Sequence, residues 1–307
     1  MALGVFLIYY SYTKFTPEQL DEISFYFKKA DYIFIVLSVF LSLVSHIIRA
    51  IRWNLLLAPI GYIPSVLNNF MAISVAYLMN MFIPKSGEIS RGIVLDKYEK
   101  VPFDKGFGTI ISERVVDLVF LMAFTALALF LEFDSLYGFL TEIINPSKLI
   151  FAFLGLIVLG IIFFLFLKYS KSKLTQKLRE FLLGLKDGVF SIFNMEKKFS
   201  FIFQTFLIWG LYLLSFYTAM LALDDTASIP IGTIIIAFVV GSFSFAFTNS
   251  GFGSYPFFVA AILAVFGIPE TAGTAFGWIV WTSNISSIIL FGGLSFLFLP
   301  IYNKGKE

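Results

Sequence analysis

The sequence predicts an all-α polytopic membrane protein: a bundle of about eight or nine transmembrane helices, with re-entrant or broken helices near 84–92 and 249–269. Three observations predict it. Of the 307 residues, 59% are hydrophobic and only 14% charged, against about 25% charged in soluble domains. The apolar residues gather into nine runs, roughly 2–13, 32–57, 65–83, 107–131, 149–167, 201–223, 229–248, 254–266 and 271–299. The runs show no strict polar–apolar alternation, which argues against a barrel. In hydrocarbon the backbone must then satisfy its own hydrogen bonds, so the runs are helices. No hydrophilic stretch is long enough for a separate soluble domain, and residues 1–307 form a single transmembrane domain.

The first run, 2–13, lacks a basic start and a small-residue cleavage pattern, so it reads as a short membrane span, or the remnant of one, and not as a signal peptide. At about 1.5 Å per residue it falls well short of the ~30 Å hydrocarbon thickness. Tyr9, Tyr10 and Tyr12 can anchor it at an interface. The run 254–266 is short as well, and Gly267 and Pro269 separate it from the next. It reads either as one span or as a re-entrant half-helix.

Charge asymmetry orients the set. The segment 168–200 carries Lys168, Lys171, Lys173, Lys177, Arg179, Lys186, Lys197 and Lys198 against Glu180, Asp187 and Glu196. The loops around 132–147 and 224–228 hold Glu132, Asp134, Glu142, Asp224 and Asp225 instead. The basic segment is therefore cytoplasmic, in the cell membrane, and the acidic loops lie outside. Counting back places 84–106 inside and the N-terminus outside; counting forward places the C-terminus inside if each late run spans once. Within 168–200, Leu174, Leu178, Phe181, Leu182, Leu185, Val189 and Phe193 recur at helical spacing, the pattern of an amphipathic interfacial helix.

Charged residues concentrate at three helix ends. "RAIRW" places Arg49, Arg52 and Trp53 near the end of the second run. "PKSGEISRG" breaks the chain at Pro84, where Ser86 can cap a helix carrying Glu88 and Arg91 three positions apart. "ERVVD" places Glu113 and Asp117 four apart with Arg114 between them. Ionisable groups at membrane depth are costly and usually face a bundle interior or a wet cavity. Two readings stay open: paired charges that hold the bundle, or the lining of a polar cavity. Arg49, Arg52, Arg91, Arg114 and Lys85 outnumber Glu88, Glu113 and Asp117, and the guanidinium excess suits a phosphate-sized guest. His46, the sole histidine, reads as a packed or interfacial residue. There is no cysteine, and no metal site or cofactor is expected. A second interruption, "TNSGFGSYPFF" from Thr248 to Phe258, brings Asn249, Gly251 and Gly253 before Ser254 and Pro256, which can open a new helix. A broken helix at membrane depth aims free N–H groups at a cavity; a plain turn between spans is the rival.

These motifs, in this order, resemble the lysylphosphatidylglycerol synthase transmembrane-region family, the flippase-like UPF0104 family. Its members share an R-x-x-R-W helix end, a P-x-x-G-E-x-x-R loop, an E-R-x-x-D helix start and a late P-G-G-x-G segment followed by Glu. The match covers Arg49, Arg52, Trp53, Pro84, Gly87, Glu88, Arg91, Glu113, Arg114 and Asp117. The late segment matches only at Gly251 and Gly253; Asn249, Ser250 and Pro256 depart from it. The resemblance implies a role in moving or presenting a phospholipid or lipid-linked sugar. In the synthases this region is fused to a cytosolic aminoacyl-transferase domain. No such domain lies within these 307 residues, so lysyl transfer by this chain alone is not expected.

The expected function is therefore lipid translocation, flippase- or scramblase-like. Arg49, Arg52, Trp53, Glu88, Arg91, Glu113, Arg114, Asp117, Asn249, Gly251 and Gly253 are the candidate headgroup-binding residues. The expected partners are membrane lipids, anionic phospholipids or lipid-linked phosphates, with no nucleic acid. No nucleotide-binding motif is present, so downhill or ion-coupled movement is expected, with Glu113 or Asp117 the candidates for a proton. Two alternatives are a membrane enzyme acting on a lipid-linked substrate and an accessory subunit presenting a lipid to a partner synthase or glycosyltransferase.

Overall fold

The computed structural model describes residues 2–143, 146–170, 172, 175–176 and 195–304. The amphipathic segment expected within 168–200 lies almost wholly outside the described residues. Among those described, the chain is helical throughout, with no strand.

Thirteen α-helices follow in order: α1 (Ala2–Lys14), α2 (Pro17–Lys29), α3 (Tyr32–Leu57), α4 (Val66–Phe82), α5 (Ser86–Glu99), α6 (Phe103–Leu131), α7 (Phe133–Ile143), α8 (Pro146–Tyr169), α9 (Lys198–Met220), α10 (Asp224–Ala227), α11 (Ile231–Phe247), α12 (Ser254–Val265) and α13 (Glu270–Tyr302). Helices α3, α6, α9 and α13 are each long and apolar enough to cross a membrane, and α8, at 24 residues, has a crossing length too. Their outer faces are apolar: Phe40, Phe130, Phe164, Phe203 and Phe298 are all exposed, as lipid-facing residues are in hydrocarbon.

The shorter apolar helices do not cross singly. They pair into two re-entrant hairpins that enter from opposite faces. In the first, α4 and α5 start and finish at one face: the Ser65 amide and the Asn68 side chain both donate to Glu99 Oε1, at 3.1 and 2.5 Å. Asn68 and Asn303 exchange hydrogen bonds of 2.9 Å, and Arg52 lies 5.2 Å from the Phe201 ring centroid. That face therefore gathers the end of α3, the start of α6, the start of α9 and the end of α13. In the second hairpin, α11 and α12 start and finish at the other face. There Thr233 donates to Glu132 at 3.4 Å, the Asp31 amide donates to Ala222 O at 2.9 Å, and Lys14 pairs with Glu270 at 2.5 Å.

The long helix α13 shows where the hairpins meet. Its first half lies on α12, with Gly273 and Gly277 close against Ala260 and Pro256. Its second half lies on α4, with Gly292 against Ser74 and Leu78. Small residues allow such close approach. Between them, Trp281 Nε1 donates to Ser250 O at 2.9 Å, at the tip of the second hairpin. The tips touch directly: Lys85 Nζ donates to Ala246 O at 3.0 Å, and Asn249 Nδ2 donates to Met81 O at 2.8 Å. Each tip holds a non-glycine in the left-handed region, Lys85 at φ 64 and Ser250 at φ 52. The unit α3–hairpin–α6 is thus repeated as α9–hairpin–α13 in the opposite sense. Transporters built this way bind substrate near the midplane, where broken helices meet.

Three expectations change. Counting back takes 2–13 as a crossing. Instead α1 runs from the Lys14–Glu270 face only to the second hairpin's tip, where Gly4 packs against Phe252 and Gly253. Residues 14–31 therefore share the face of the acidic segment 224–228, where Lys29 pairs with Asp224 at 2.8 Å. The run 65–83 is not a full crossing either, so 58–64 and 100–106 share one face. Ser86 does not cap α5: the cap residue is Lys85, without a side-chain bond, because the Ser86 hydroxyl turns back to Met79 O and Ile83 O.

Packing divides with depth. One apolar core, including Trp53, Leu57, Ile73, Leu95, Ile110 and Phe201, fills the half near the first hairpin's base. A second, including Ile23, Ala219, Phe238, Val259 and Phe276, fills the other half. The polar residues lie between them.

Candidate functional site

The charged motifs meet in this middle zone. Arg49, Arg52 and Trp53 lie on one face of α3 by their spacing of three and four. Glu113 and Asp117, four apart on α6, face them. Arg49 pairs with Asp117, lies 3.4 Å from Glu113 through Nε, and donates to Tyr77 Oη at 2.8 Å. Arg52 lies 3.2 Å from Asp117 and 3.7 Å from Glu113, and donates to Thr205 at 2.9 Å. Arg91 reaches across from α5 and grips Glu113 at both oxygens, 3.2 and 3.0 Å. Its guanidinium sits 3.9 Å from the Trp53 ring centroid, and Trp53 Nε1 donates to Thr109 at 2.9 Å. Glu88 does not pair with Arg91 three positions on. It lies 3.2 Å from Arg114 Nε, and Arg114 Nη1 is 3.7 Å from Asp117.

Burial separates this network into two layers. Arg52, Arg91, Glu113 and Trp53 are buried, each 1% exposed or less. Charges that deep are tolerated because each is paired and hydrogen-bonded, the removal of either partner being the expensive event. The outer layer, Arg49, Asp117, Arg114 and Glu88, lines a cavity of about 490 Å³ between the two hairpin tips. That falls within the ~300–1,000 Å³ usual for small-molecule sites.

The cavity wall comes from nearly every element of the two repeated units. Lys85 and Pro84 arrive from the first tip, Thr248, Asn249 and Ser250 from the second. Tyr77 and Asn80 of α4, Ser38, Ser42 and His46 of α3, Trp209, Tyr212 and Ser215 of α9, Ser242 of α11, Tyr255 of α12, and Asn284 and Ser287 of α13 complete its polar lining. Apolar Leu121, Phe216, Phe238 and Phe245 line it as well. Three cations, Arg49, Lys85 and Arg114, face two carboxylates, Glu88 and Asp117. Among the described residues no cluster of potential metal ligands occurs.

Of the residues predicted from sequence, Arg49, Glu88, Arg114, Asp117 and Asn249 line the cavity. Arg52, Trp53, Arg91 and Glu113 lie behind its wall and brace it. Gly251 and Gly253 shape the second tip instead: Gly251, at φ 72, packs beside Trp281 and Tyr255, and Gly253, at φ 68, sits against Gly4. His46, Tyr77, Asn80, Trp209, Tyr212, Asn284 and Ser287 are not among the candidates, and Lys85 is counted only in the cationic excess of the charged motifs. A signal for some of them existed: amides and hydroxyls inside otherwise apolar runs, as at Asn80, Asn284 and Ser287.

Two re-entrant hairpins that meet at mid-depth around a polar cavity define a class: an integral, multi-pass membrane protein. The chain belongs to the family described as the lysylphosphatidylglycerol synthase TM region, whose model matches residues 1–301. It is similar to UPF0104 membrane protein MJ1595 of Methanocaldococcus jannaschii, 23% identical over 79% of this chain and 77% of that one. It is also similar to UPF0104 membrane protein MJ1078 of the same organism, 26% identical over 71% of this chain and 92% of that one. No solved structure matches the chain.

Proposed function

We propose that the protein is a lipid translocase that takes a phosphate-bearing headgroup into the cavity between the hairpin tips while the acyl chains stay in lipid. The observation that carries this reading is the cationic excess on the cavity wall, Arg49, Lys85 and Arg114 against Glu88 and Asp117. Guanidiniums offer planar paired donors that suit phosphate oxygens. In a low-dielectric setting an uncompensated positive charge calls for an anion. The start of α5, the positive end of a 14-residue helix, lies next to Lys85 on the wall and adds to it.

The opposed hairpins suggest the route. The contacts Lys85–Ala246 and Asn249–Met81 close the middle of the fold. Parting them toward one hairpin's base or the other would open the cavity to one leaflet at a time. On charge asymmetry, the basic 168–200 segment is cytoplasmic, which puts the base of the first hairpin on the cytoplasmic side of the cell membrane. Both cavity carboxylates are held by guanidiniums, Asp117 by Arg49 and Glu88 by Arg114. That favours anion binding over acid–base catalysis. If movement is proton-coupled, Asp117 is the better placed candidate, since Glu113 lies behind the wall.

Leaflet exchange of headgroup-labelled anionic phospholipids and lipid-linked phosphates, in vesicles holding the purified protein, tests this. The expected result is exchange above protein-free vesicles, lost in Arg114→Gln while that variant remains folded. Tight lipid binding without exchange would replace translocation with presentation to a partner enzyme.

A further inference from the structure

The cavity between the hairpin tips is walled on most sides. Every lining residue contributed by α3, α9 and α13 is buried or half-buried. Helices α3 and α9 are also stitched together beside it, with the Ser38 and Ser215 hydroxyls 3.0 Å apart. Only four lining residues are exposed: Pro84 and Lys85 on the first tip, Ala246 near the end of α11, and Leu118 on α6.

Helix α6 explains why these four fall on one side, because it crosses both hairpins. Arg114 Nε lies 3.2 Å from Glu88 of α5, and the Phe124 ring centroid lies 5.8 Å from that of Phe238 on α11. Leu118 stands between these two contacts, one turn beyond Arg114 and near the middle of the 29-residue helix. The tips meet at this depth, where Lys85 donates to Ala246 O.

An opening at mid-depth faces hydrocarbon and not water. Its neighbours in the chain agree: Phe82, Ile83, Val119 and Phe247 are all exposed. Immediately inside stand Glu88, Arg114 and Asp117. Lys85 departs from the apolar rim. A cation at membrane depth is costly unless it faces a wet cavity or a partner, and its bond here is to a neutral carbonyl. Polarity thus rises from the rim through Lys85 to the ionic interior, in the order in which a lipid passes from chain to headgroup.

We infer that this mouth, between α6 and the joined tips, is the lateral passage for the hydrocarbon chains of a bound lipid. The chains lie against Leu118, Phe82 and Phe247 while the headgroup sits behind Lys85. Among the described residues the cavity has no second exposed side, so lipid from either leaflet keeps its chains on the α6 side, and none pass through the α3–α9 wall. This rests on the reading of the cavity as a headgroup site and adds the side from which it is filled.

The test places the purified full chain in phosphatidylcholine vesicles with phosphatidic acid that carries a diazirine midway along one acyl chain. Photolabelled residues are mapped by mass spectrometry, with and without excess unlabelled phosphatidic acid. Labelling around Leu118, Phe82 and Phe247 should be removed by the competitor. Labelling at Leu207, exposed on α9 away from the mouth, should persist as contact with bulk lipid. Leu118→Trp fills the mouth and should lose both the competed labelling and lipid exchange, whereas Leu207→Trp keeps both, with folding checked by thermal unfolding. Competed labelling confined to other helices, or parental exchange in folded Leu118→Trp, overturns this inference and leaves the headgroup site standing. Absence of both competed labelling and exchange in the parent removes the headgroup site itself, and this inference with it.

Discussion

Lys85 and Ala246, 161 positions apart in the chain, join the two hairpin tips: the lysine ammonium donates to the alanine carbonyl at 3.0 Å. The lysine also adopts a left-handed backbone, φ 64, a conformation that costs a non-glycine residue roughly 1–2 kcal/mol. A purely structural position would be served better by glycine. Lys85→Gly should therefore leave thermal stability within about 1 kcal/mol of the parent and still depress lipid exchange. Exchange at the parental rate in Lys85→Gly would remove the lysine from the mechanism.

The layer behind the cavity behaves differently. Glu113 is held by Arg91 at both oxygens and approached by Arg49 and Arg52, and it is fully buried. Glu113→Gln leaves guanidiniums without their counter-charge, and breaking such a buried pair costs about 3–5 kcal/mol. The loss should appear as a lowered unfolding midpoint in detergent. Replacing both partners, Arg91→Met with Glu113→Met, should cost less than the glutamate change alone. A double variant as damaged as the sum of its parts would show that the pair does not act as a unit.

The division between these layers was only partly legible in the sequence. The spacing of Arg49 with Arg52, and of Glu113 with Asp117, placed each pair on one helix face, and the motif order suggested that they belong together. Full crossings for every apolar run set Arg49 and Arg91 toward opposite membrane faces, whereas a re-entrant 84–92 segment, the other reading the sequence allows, brings them together. The structure removes that difficulty, because α4 and α5 return to the face they left. Hydropathy alone cannot tell a 17-residue re-entrant arm from a short span, and only the pairing of Ser65 and Asn68 with Glu99 reveals the return. Trp209 and Tyr212 could not be picked out either, since an aromatic in an apolar run is ordinary lipid-facing or core material until its neighbours are known.

The first hairpin also depends on one small residue. A Cβ at Gly87 would stand 2.3 Å from Ala76 O and 2.5 Å from Asn80 Nδ2, while the Gly87 amide donates to Asn80 Oδ1 at 2.8 Å. Gly87→Ala must push the two arms apart, an overpacking cost of typically 1–3 kcal/mol. Because Asn80 lines the cavity, headgroup binding should weaken as well. An alanine variant with parental stability and binding would show that the arms are looser than their contact suggests.

At the opposite face, α2 is tied to the acidic segment. Burial, with Asp225 beside it, pushes the Tyr26 phenol up to about 12, and the hydrogen bond to Asp224 raises Lys29 above its ordinary value of 10.5. Both shifts are upward, so their stabilisation is complete below the unfolded values of 10.0 and 10.5 and is lost as pH rises through the folded ones. Unfolding midpoints should therefore fall between about pH 10 and 12, and less steeply in Tyr26→Phe. An identical slope in the variant would remove Tyr26 as a source of the loss.

The most direct test of the hairpin gate uses the absence of cysteine from the chain. Met81→Cys combined with Asn249→Cys places two thiols where the tips already touch, so oxidation can tie the hairpins together. Lipid exchange should fall to the level of protein-free vesicles when the pair is oxidised and return on reduction, with neither single variant responding to oxidant. Exchange that continues unchanged with the tips cross-linked would contradict a route between the hairpins.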